Sequence, residues 1–477
     1  MRSAVLSAYR RAMSYAPVEK DVFLYFCATA FAAATAAAAI AADYREWGQI
    51  AGVTYGVATL VCAVVSVAAR RGALGASAVS LARRLVVVAV ILGAVVAPLI
   101  AELVWRADAR PGANAQSEVA VVERAGDRLA RGESPYLAHP TTVGVSPRSD
   151  AKSIDANSFY PYLPGMAPFG LANAVTGPPE LADARTTLAG FTLVVAAIAL
   201  LAPGATVGRR GRVLQFLVVL PSGALPMVTG GDDLPVIALM LLGLALATRR
   251  RPVSSGLAMG LAGTLKFTAW PLLILLVLGE WDRRGRRAVW RYSLAAVAVV
   301  VPVLGIGVGL APHAFILNAI RFPLGLTKVK SPAASPLIGQ ELVSLFPAAK
   351  PELITILTLV GLVAVGYGLL RWTPTTPKSA AGFSGLSMLL ATLLAPATRF
   401  GYLIYPLDLL TWAVLLSPLV SRTGDGSRDL GQGQEPLSGT SNSRSLSPVT
   451  AEVCPSPASE GEIEGLTAVT ATPTSHS

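Results

Sequence analysis

The sequence predicts an all-α fold: a polytopic transmembrane helical protein of about 12 spans, with further helices lying beside the membrane on its outer face. Three observations carry this. Of 477 residues, 53% are hydrophobic and only 14% charged, and the mean hydropathy is +0.57; a soluble domain of this length needs far more polar surface. Apolar stretches of about 20 residues, enough to cross ~30 Å of hydrocarbon, recur along the chain. Their Leu, Val and Ala runs lack the period-2 alternation that a membrane β-barrel requires.

Hydropathy places the spans near 22–42, 51–69, 85–105, 186–203, 213–229, 234–248, 253–264, 267–280, 290–310, 351–371, 384–397 and 402–420. The N-terminal "MRSAVLSAYRRAMSYAPVEKD" is long and polar, and no small-residue cleavage site follows the first apolar run. That run reads as a retained helix and not as a cleaved signal peptide. Basic residues orient the series, because Lys and Arg accumulate in cytoplasmic connections. Arg10, Arg11 and Lys20 precede the first span, and Arg70, Arg71, Arg83 and Arg84 follow the second. Arg209, Arg210 and Arg212, then Arg249 to Arg251, then Arg283, Arg284, Arg286 and Arg287 fill later connections. With twelve spans all of these fall on one side, which puts both termini in the cytoplasm.

The segments 253–264 and 267–280 are short for full crossings, yet both outer ends carry arginine clusters. The pair must therefore enter and return, with Lys266 at the tip of a helical hairpin at or below the outer membrane surface. No acidic residue lies close to it in sequence. A lysine at membrane depth faces a wet cavity or an anion, or else snorkels to the surface.

Two long connections face outward, about 106–185 and 311–350. The first holds an amphipathic helix in "SEVAVVERAGDRLARGESPY". Val119, Val122 and Leu129 share one face, Glu123, Arg124, Asp127, Arg128 and Arg131 lie mostly elsewhere, and Gly132 supplies a C-terminal stop. This helix is expected to lie along the membrane surface. The aromatic, proline-broken "FYPYLPGMAPFGL" follows; a crossing there would invert the charge rule, so it reads as re-entrant or interfacial. From Ser421 the chain is rich in Ser, Thr, Gly, Pro and Glu, with three arginines and seven acids, the composition of a disordered cytoplasmic tail. The expected organisation is an N-terminal helix pair at 1–84, a transmembrane core at 85–420 and a tail at 421–477.

The net charge is +11, and with the tail at −4 the rest holds +15. That excess orients helices and meets anionic headgroups, and needs no nucleic-acid partner. Cys27 and Cys62 sit in apolar helices and Cys454 in the tail, without redox or zinc spacing; His139, His313 and His476 are too scattered for a metal motif.

The polar residues that invite chemistry gather on the outer side. Glu102 lies near the outer end of the third span, and Asp108 follows it. Glu118 opens the amphipathic helix. Asp232 and Asp233, in "TGGDDLP", join two spans. Lys266 tips the hairpin. Arg321, Lys328 and Lys330 lie in the second outer connection, and Arg399 follows "APAT" with Tyr402 and Tyr405 beyond it. Each has a plainer reading: a polar turn for the aspartates, solvated loop charges for the second connection, an interfacial anchor for Arg399. Taken together, cations at a membrane-level cavity suit a lipid-linked phosphate, and a carboxylate beside them suits a general base acting on a hydroxyl.

The ordered series of motifs resembles a known family. "ERAGDRLARGESPY", with Gly132, Pro135 and Tyr136, is similar to the first outer loop of polyprenyl-phosphate-sugar-dependent glycosyltransferases of the GT-C class, and more narrowly of the actinobacterial mannosyltransferase-like glycosyltransferase family 87. "FYPYLPG", "GGDDLPVIALMLLGLALATRRRPVSSGLAMGLAGTLKFTAWPLL" and "LAPATRFGYLIYP" continue the likeness, which covers roughly residues 85–420. The pair of spans ahead of residue 85 is a departure, since the simplest members lack it.

The resemblance implies inverting transfer of a hexose, mannose by family likeness, on the outer face of the plasma (inner) membrane. The donor would be a polyprenyl-phosphate sugar and the acceptor a cell-envelope glycan or glycolipid. The donor phosphate would meet Lys266, assisted by Arg321 or Arg399. The class's catalytic aspartate falls on Glu118, a glutamate here, with Asp108 and Glu102 as fallback candidates. Asp232 and Asp233, with Tyr402, would bind substrate; the two aspartates are also the only pair suggesting a cation, and metal dependence stays open. A transporter or lipid-linked-sugar flippase accounts for membrane charges and broken helices as well, and a non-catalytic relative is the third reading. Against transport, no paired repeat with matching interrupted helices is visible.

Overall fold

A computed structural model describes residues 2–108, 115–139, 141–146, 149–175, 179–201, 212–327, 329 and 333–415. The tail predicted at 421–477 lies outside the described residues, as do Lys328 and Lys330.

Among the described residues, a helix falls on every predicted span. Seven helical stretches among the described residues are long and apolar enough to cross a membrane: 17–38, 42–70, 76–108, 184–201, 212–229, 286–310 and 347–371. The predicted segments near 234–248, 253–264, 267–280 and 402–420 fall on shorter helices, and that near 384–397 falls on a helix of 18 residues. In order, the elements that matter below are α1 (Arg2–Ala38), α2 (Ala42–Arg70), α3 (Ala76–Ile91), α4 (Ala97–Asp108), α5 (Ser117–Ala130), α6 (Ala184–Leu201), α7 (Pro221–Thr229), α8 (Leu234–Thr248), α9 (Pro252–Leu265), α10 (Trp270–Arg284), α11 (Arg286–Leu310), α12 (Ile338–Leu345), α13 (Lys350–Arg371), α14 (Pro377–Leu394) and α15 (Ile404–Leu415). A π-helical turn, Leu92–Val96, joins α3 to α4.

The core centres on α8. Its sequence is apolar all round, and Leu234 to Leu241 are buried without a break, as expected of a helix surrounded by others. Farther out, α11 and α13 keep large apolar side chains such as Leu294, Ile306, Leu362 and Val363 on the outside. In water that pattern would drive aggregation; in hydrocarbon it is the favourable face.

Helices α8 and α9 run antiparallel, fixed where Ser255 Oγ donates to the Gly243 carbonyl at 2.8 Å. Helices α9 and α11 run parallel. A Cβ on Gly256 would lie 2.3 Å from the Tyr292 carbonyl oxygen, and one on Gly260 would lie 2.8 Å from that of Ala296. This small-x-x-x-small spacing lets the two backbones touch. Since α9 and α11 point the same way, α10 between them must run back. The predicted hairpin is therefore present: α9 ends at Lys266, whose backbone is extended (φ −148°, ψ 151°), and the chain turns there. At 14 residues, α9 is only about 21 Å long.

The first outer connection is more structured than expected. It carries α5, an antiparallel hairpin of β1 (Thr142–Ser146) and β2 (Ser149–Ile154), and a 3₁₀ turn at Pro164–Gly170. The aromatic-proline segment does not span. Phe159, Tyr160, Tyr162, Leu163 and Met166 are buried, and the Leu163 amide donates to the Leu265 carbonyl at 3.0 Å, so the segment is folded into the end of the bundle. Helix α5 also departs from expectation. Val119, Val121, Val122, Glu123, Ala125 and Gly126 are all buried, so protein, rather than a membrane surface, covers it. Two glycines permit this: a Cβ on Gly126 would lie 2.1 Å from the Gly170 carbonyl carbon, and one on Gly170 would lie 2.1 Å from the Val122 oxygen.

The two outer connections are tied together by Asn318, which is buried. It accepts from the Tyr160 amide and donates to the Leu137 carbonyl, each at 2.9 Å, while Phe159 stacks on Phe322 at 4.2 Å between centroids.

Candidate active site

The antiparallel register of α8 and α9 decides the first part of the site. Pairing of Gly243 with Ser255 brings the residues just before α8 beside those just after α9. Asp232 and Asp233 thereby meet Lys266. The ammonium donates to Asp232 Oδ1 at 2.8 Å and to Asp233 Oδ1 at 2.5 Å. Gly230, at φ +99°, caps α7 in the left-handed conformation and starts the turn that aims the aspartates inward. From α15, the Tyr405 hydroxyl donates to Asp233 Oδ1 at 2.7 Å. The Tyr162 ring lies 5.0 Å from the ammonium, a cation–π distance.

Lys266 thus has side-chain partners, contrary to the expectation that its counter-charge is a ligand phosphate. They come from 33 and 34 positions away, beyond the reach of local sequence inspection. The cation between the two aspartates is this ammonium itself. Burial alone would lower the Lys266 pKa, but Asp232 and Asp233 outweigh it and raise it. One ammonium cannot fully offset two carboxylates, and burial, with Asp233 adding to it, raises the Asp232 pKa above the usual range.

The second part of the site adjoins the first. Glu118, in the first turn of α5, forms an ion pair with Arg399. Its place at a helix N-terminus suits a carboxylate. Several contacts fix that end of α5. The Gln116 amide donates to the Thr229 carbonyl at 3.1 Å, and its side chain donates to Thr229 Oγ1 at 2.9 Å and to the Tyr44 hydroxyl. Further along, Arg106 forks onto Glu123 at 2.8 and 2.7 Å and reaches Asp183 at 2.5 Å. Asp183 in turn holds the fully buried Arg185 at 2.8 Å. Burial by itself would raise the Asp183 pKa; hydrogen bonds and charge from Arg185 and Arg106 outweigh it and hold it below the ordinary aspartate range.

Arg399 is set by backbone pairing across the second outer connection. The Thr398 amide donates to the Ala333 carbonyl at 3.0 Å, and the Ser335 amide to the Thr398 carbonyl at 2.8 Å. Tyr402, whose amide donates to the Arg399 carbonyl at 3.0 Å, lies within electrostatic reach of both Arg399 and Lys266. Tyr162 likewise senses Asp232 and Glu118. The two charge clusters are therefore parts of one site. Side-chain exposure rises across it from 6% at Asp232 through 11% at Lys266 and 17% at Asp233 to 18% at Glu118 and 33% at Arg399, so Glu118 and Arg399 form its open end.

Glu118, Asp232, Asp233, Lys266, Arg399 and Tyr402 thus come together. Arg321 does not: it is exposed at the end of a π-helical turn, and no ion pair joins it to the cluster among the described residues. Asp108 is exposed at the end of α4. Glu102 is fully buried in α4, where its side chain meets that of Glu46, and no ion pair joins it to the cluster among the described residues. Sequence reasoning missed Tyr44, Gln116 and the Arg106–Glu123–Asp183–Arg185 chain, and took Tyr162 only as part of an aromatic run. Among the described residues no group of three or more His, Cys, Asp or Glu is placed to hold a metal ion.

An all-helical bundle with two long connections folded over a charged, tyrosine-lined end is that of a polytopic membrane protein whose chemistry is gathered at one end. Residues 161–396 match glycosyltransferase family 87. This segment belongs to that family, and the protein is a membrane glycosyltransferase. No curated protein and no solved structure matches the chain. The match includes Tyr162, Asp232, Asp233, Lys266 and Arg321 but ends short of Glu118 on one side and of Arg399 on the other; geometry alone joins those two to the rest.

Proposed function

We propose that the protein transfers a hexose, with mannose the leading case, from a polyprenyl-phosphate sugar to a cell-envelope glycan or glycolipid at the outer face of the plasma membrane, with both termini in the cytoplasm. One observation carries the reading: Glu118 and Arg399 stand side by side at the open end of the charged cluster. Transfer to a hydroxyl needs such a pairing of a base with a cation.

In this mechanism the acceptor oxygen attacks the anomeric carbon with inversion while its proton passes to Glu118. The bond from the anomeric carbon to the phosphate oxygen breaks, and polyprenyl phosphate leaves as a monoester with one more negative charge. Only one Arg399 nitrogen is engaged by Glu118, so the other N–H groups of its fork are available to that charge. Asp233 and Asp232, held by Lys266 and Tyr405, accept hydroxyl hydrogens of the donor sugar, and Lys266 keeps the buried pair from repelling the anionic donor. The polyprenyl chain lies between helices.

Membranes containing the protein, incubated with labelled polyprenyl-phosphate mannose and candidate acceptors, test this. Glu118→Gln is expected to lower transfer by roughly 10²- to 10⁴-fold, the usual worth of a positioned base. Undiminished turnover in that variant would remove Glu118 as the base.

A further inference from the structure

We propose that the cleft at the C-terminal end of α5 is a second binding site, for the phosphate of the acceptor, whether that phosphate belongs to a lipid headgroup or to a glycan. The assignment of the ligand as acceptor rests on the function proposed above; the binding of phosphate does not.

The cleft encloses about 180 Å³ and is lined by Arg124, Asp127, Arg128 and Arg131, with Phe159 and Tyr160 behind them. It is smaller than the roughly 300–1,000 Å³ of a typical small-molecule pocket, which suits one headgroup rather than a chain. Arginines at 124, 128 and 131 recur every three or four residues and so share one stripe of the helix. The guanidiniums of Arg128 and Arg131 already converge on a single anion. Arg128 Nη1 lies 3.1 Å from Glu133 Oε2 and Arg131 Nε lies 3.3 Å from Glu133 Oε1. Glu133 is not part of the cleft lining, but it engages two of the three guanidiniums that a phosphate there would engage.

That internal carboxylate is replaceable. Its backbone is fixed, because the Glu133 amide donates to the Arg128 carbonyl at 2.9 Å past Gly132 at φ +71°, but its side chain is 43% exposed. Exposed ion pairs of this kind are weak, whereas arginine forks hold phosphate through two parallel hydrogen bonds. Three guanidiniums against the carboxylates of Asp127 and Glu133 leave the cleft positive. Arg124 is anchored on the Asn157 carbonyl and Arg128 Nε on that of Ser134 at 2.7 Å, so two of the three forks are pre-oriented.

Position links the cleft to the open end of the active site. Residues 118, 121, 125 and 128 follow one face of α5, and Val121, Ala125 and Arg128 line the cleft. Ten residues of helix separate Glu118 from Arg128, about 15 Å. An acceptor with its phosphate in the cleft therefore has to span about that distance to present a hydroxyl to Glu118, passing over the protein that covers Val121 and Ala125.

The test uses the full chain in nanodiscs and two probes: phosphatidylglycerol added to a phosphatidylcholine disc, and soluble mannose 6-phosphate, each compared with its uncharged counterpart, phosphatidylcholine alone or mannose. Saturable binding of either anionic probe, weakened at least tenfold in Arg128→Ala/Arg131→Ala, is the expected result; the probe that binds identifies the source of the phosphate. Glu133→Gln is expected to tighten binding severalfold, a gain that misfolding does not produce. Equal affinity in wild type and both variants, or no saturable binding of either probe, overturns the site. Glu118→Gln should leave binding unchanged, so failure of the transfer reaction and failure of this site are read separately.

Discussion

Lys266 and Asp232 form an ion pair of 2.8 Å across the ends of two antiparallel membrane helices, and Asp233 shares the same ammonium at 2.5 Å. The pair turns a lysine that looks isolated in sequence into the centre of the site. Removing it leaves two carboxylates with no cation. Lys266→Ala is expected to cost about 3–5 kcal/mol, the usual penalty for breaking a buried pair from one side, seen as a lower unfolding temperature in nanodiscs. Adding Asp232→Asn to that variant should recover part of the loss. A double variant no more stable than Lys266→Ala would mean that repulsion between the aspartates is not what the lysine relieves.

The pairing of Arg399 with Glu118 predicts unequal effects of two substitutions. Arg399→Ala is expected to lower transfer roughly 10²- to 10³-fold, as loss of a charge-stabilising donor does. Arg399→Lys should fall between that variant and wild type, because an ammonium keeps the charge but lacks the fork. Initial rates at saturating donor separate the two.

Acid should loosen the network that holds α5. The Asp183 pKa lies below that of the unfolded chain because of Arg185 and Arg106, so its contribution is present above about pH 4, the ordinary aspartate value. It is lost as pH falls through the lower folded value. Chemical unfolding at decreasing pH should show stability dropping in that window, with a shallower drop in Asp183→Asn. Parallel curves for the two proteins would exclude this contribution.

Contact between α5 and the 3₁₀ turn at Pro164–Gly170 depends on backbone approach at Gly126. Gly126→Ala is expected to cost about 1–3 kcal/mol through overpacking and to reduce transfer by displacing Glu118. Gly190→Ala in α6, where nothing lies within 4 Å of the added carbon, should be neutral or slightly stabilising. Thermal unfolding and transfer rates of both variants make the comparison.

Much of this protein was legible in the chain itself. Apolar runs separated by arginine clusters determine the helices and their order, because hydrocarbon admits only segments that satisfy their own backbone. The same arithmetic identifies the hairpin at Lys266, and the motif series identifies the family. Local sequence did not determine how residues at 118, 232, 266 and 399 are joined, nor that Glu123 is buried beneath Arg106 rather than solvated. Those contacts depend on helix register, which arises from small residues such as Gly256, Gly260 and Gly126 meeting partners far along the chain. Composition says that a helix is buried; only packing says against what, since close contact between backbones is a property of two surfaces at once.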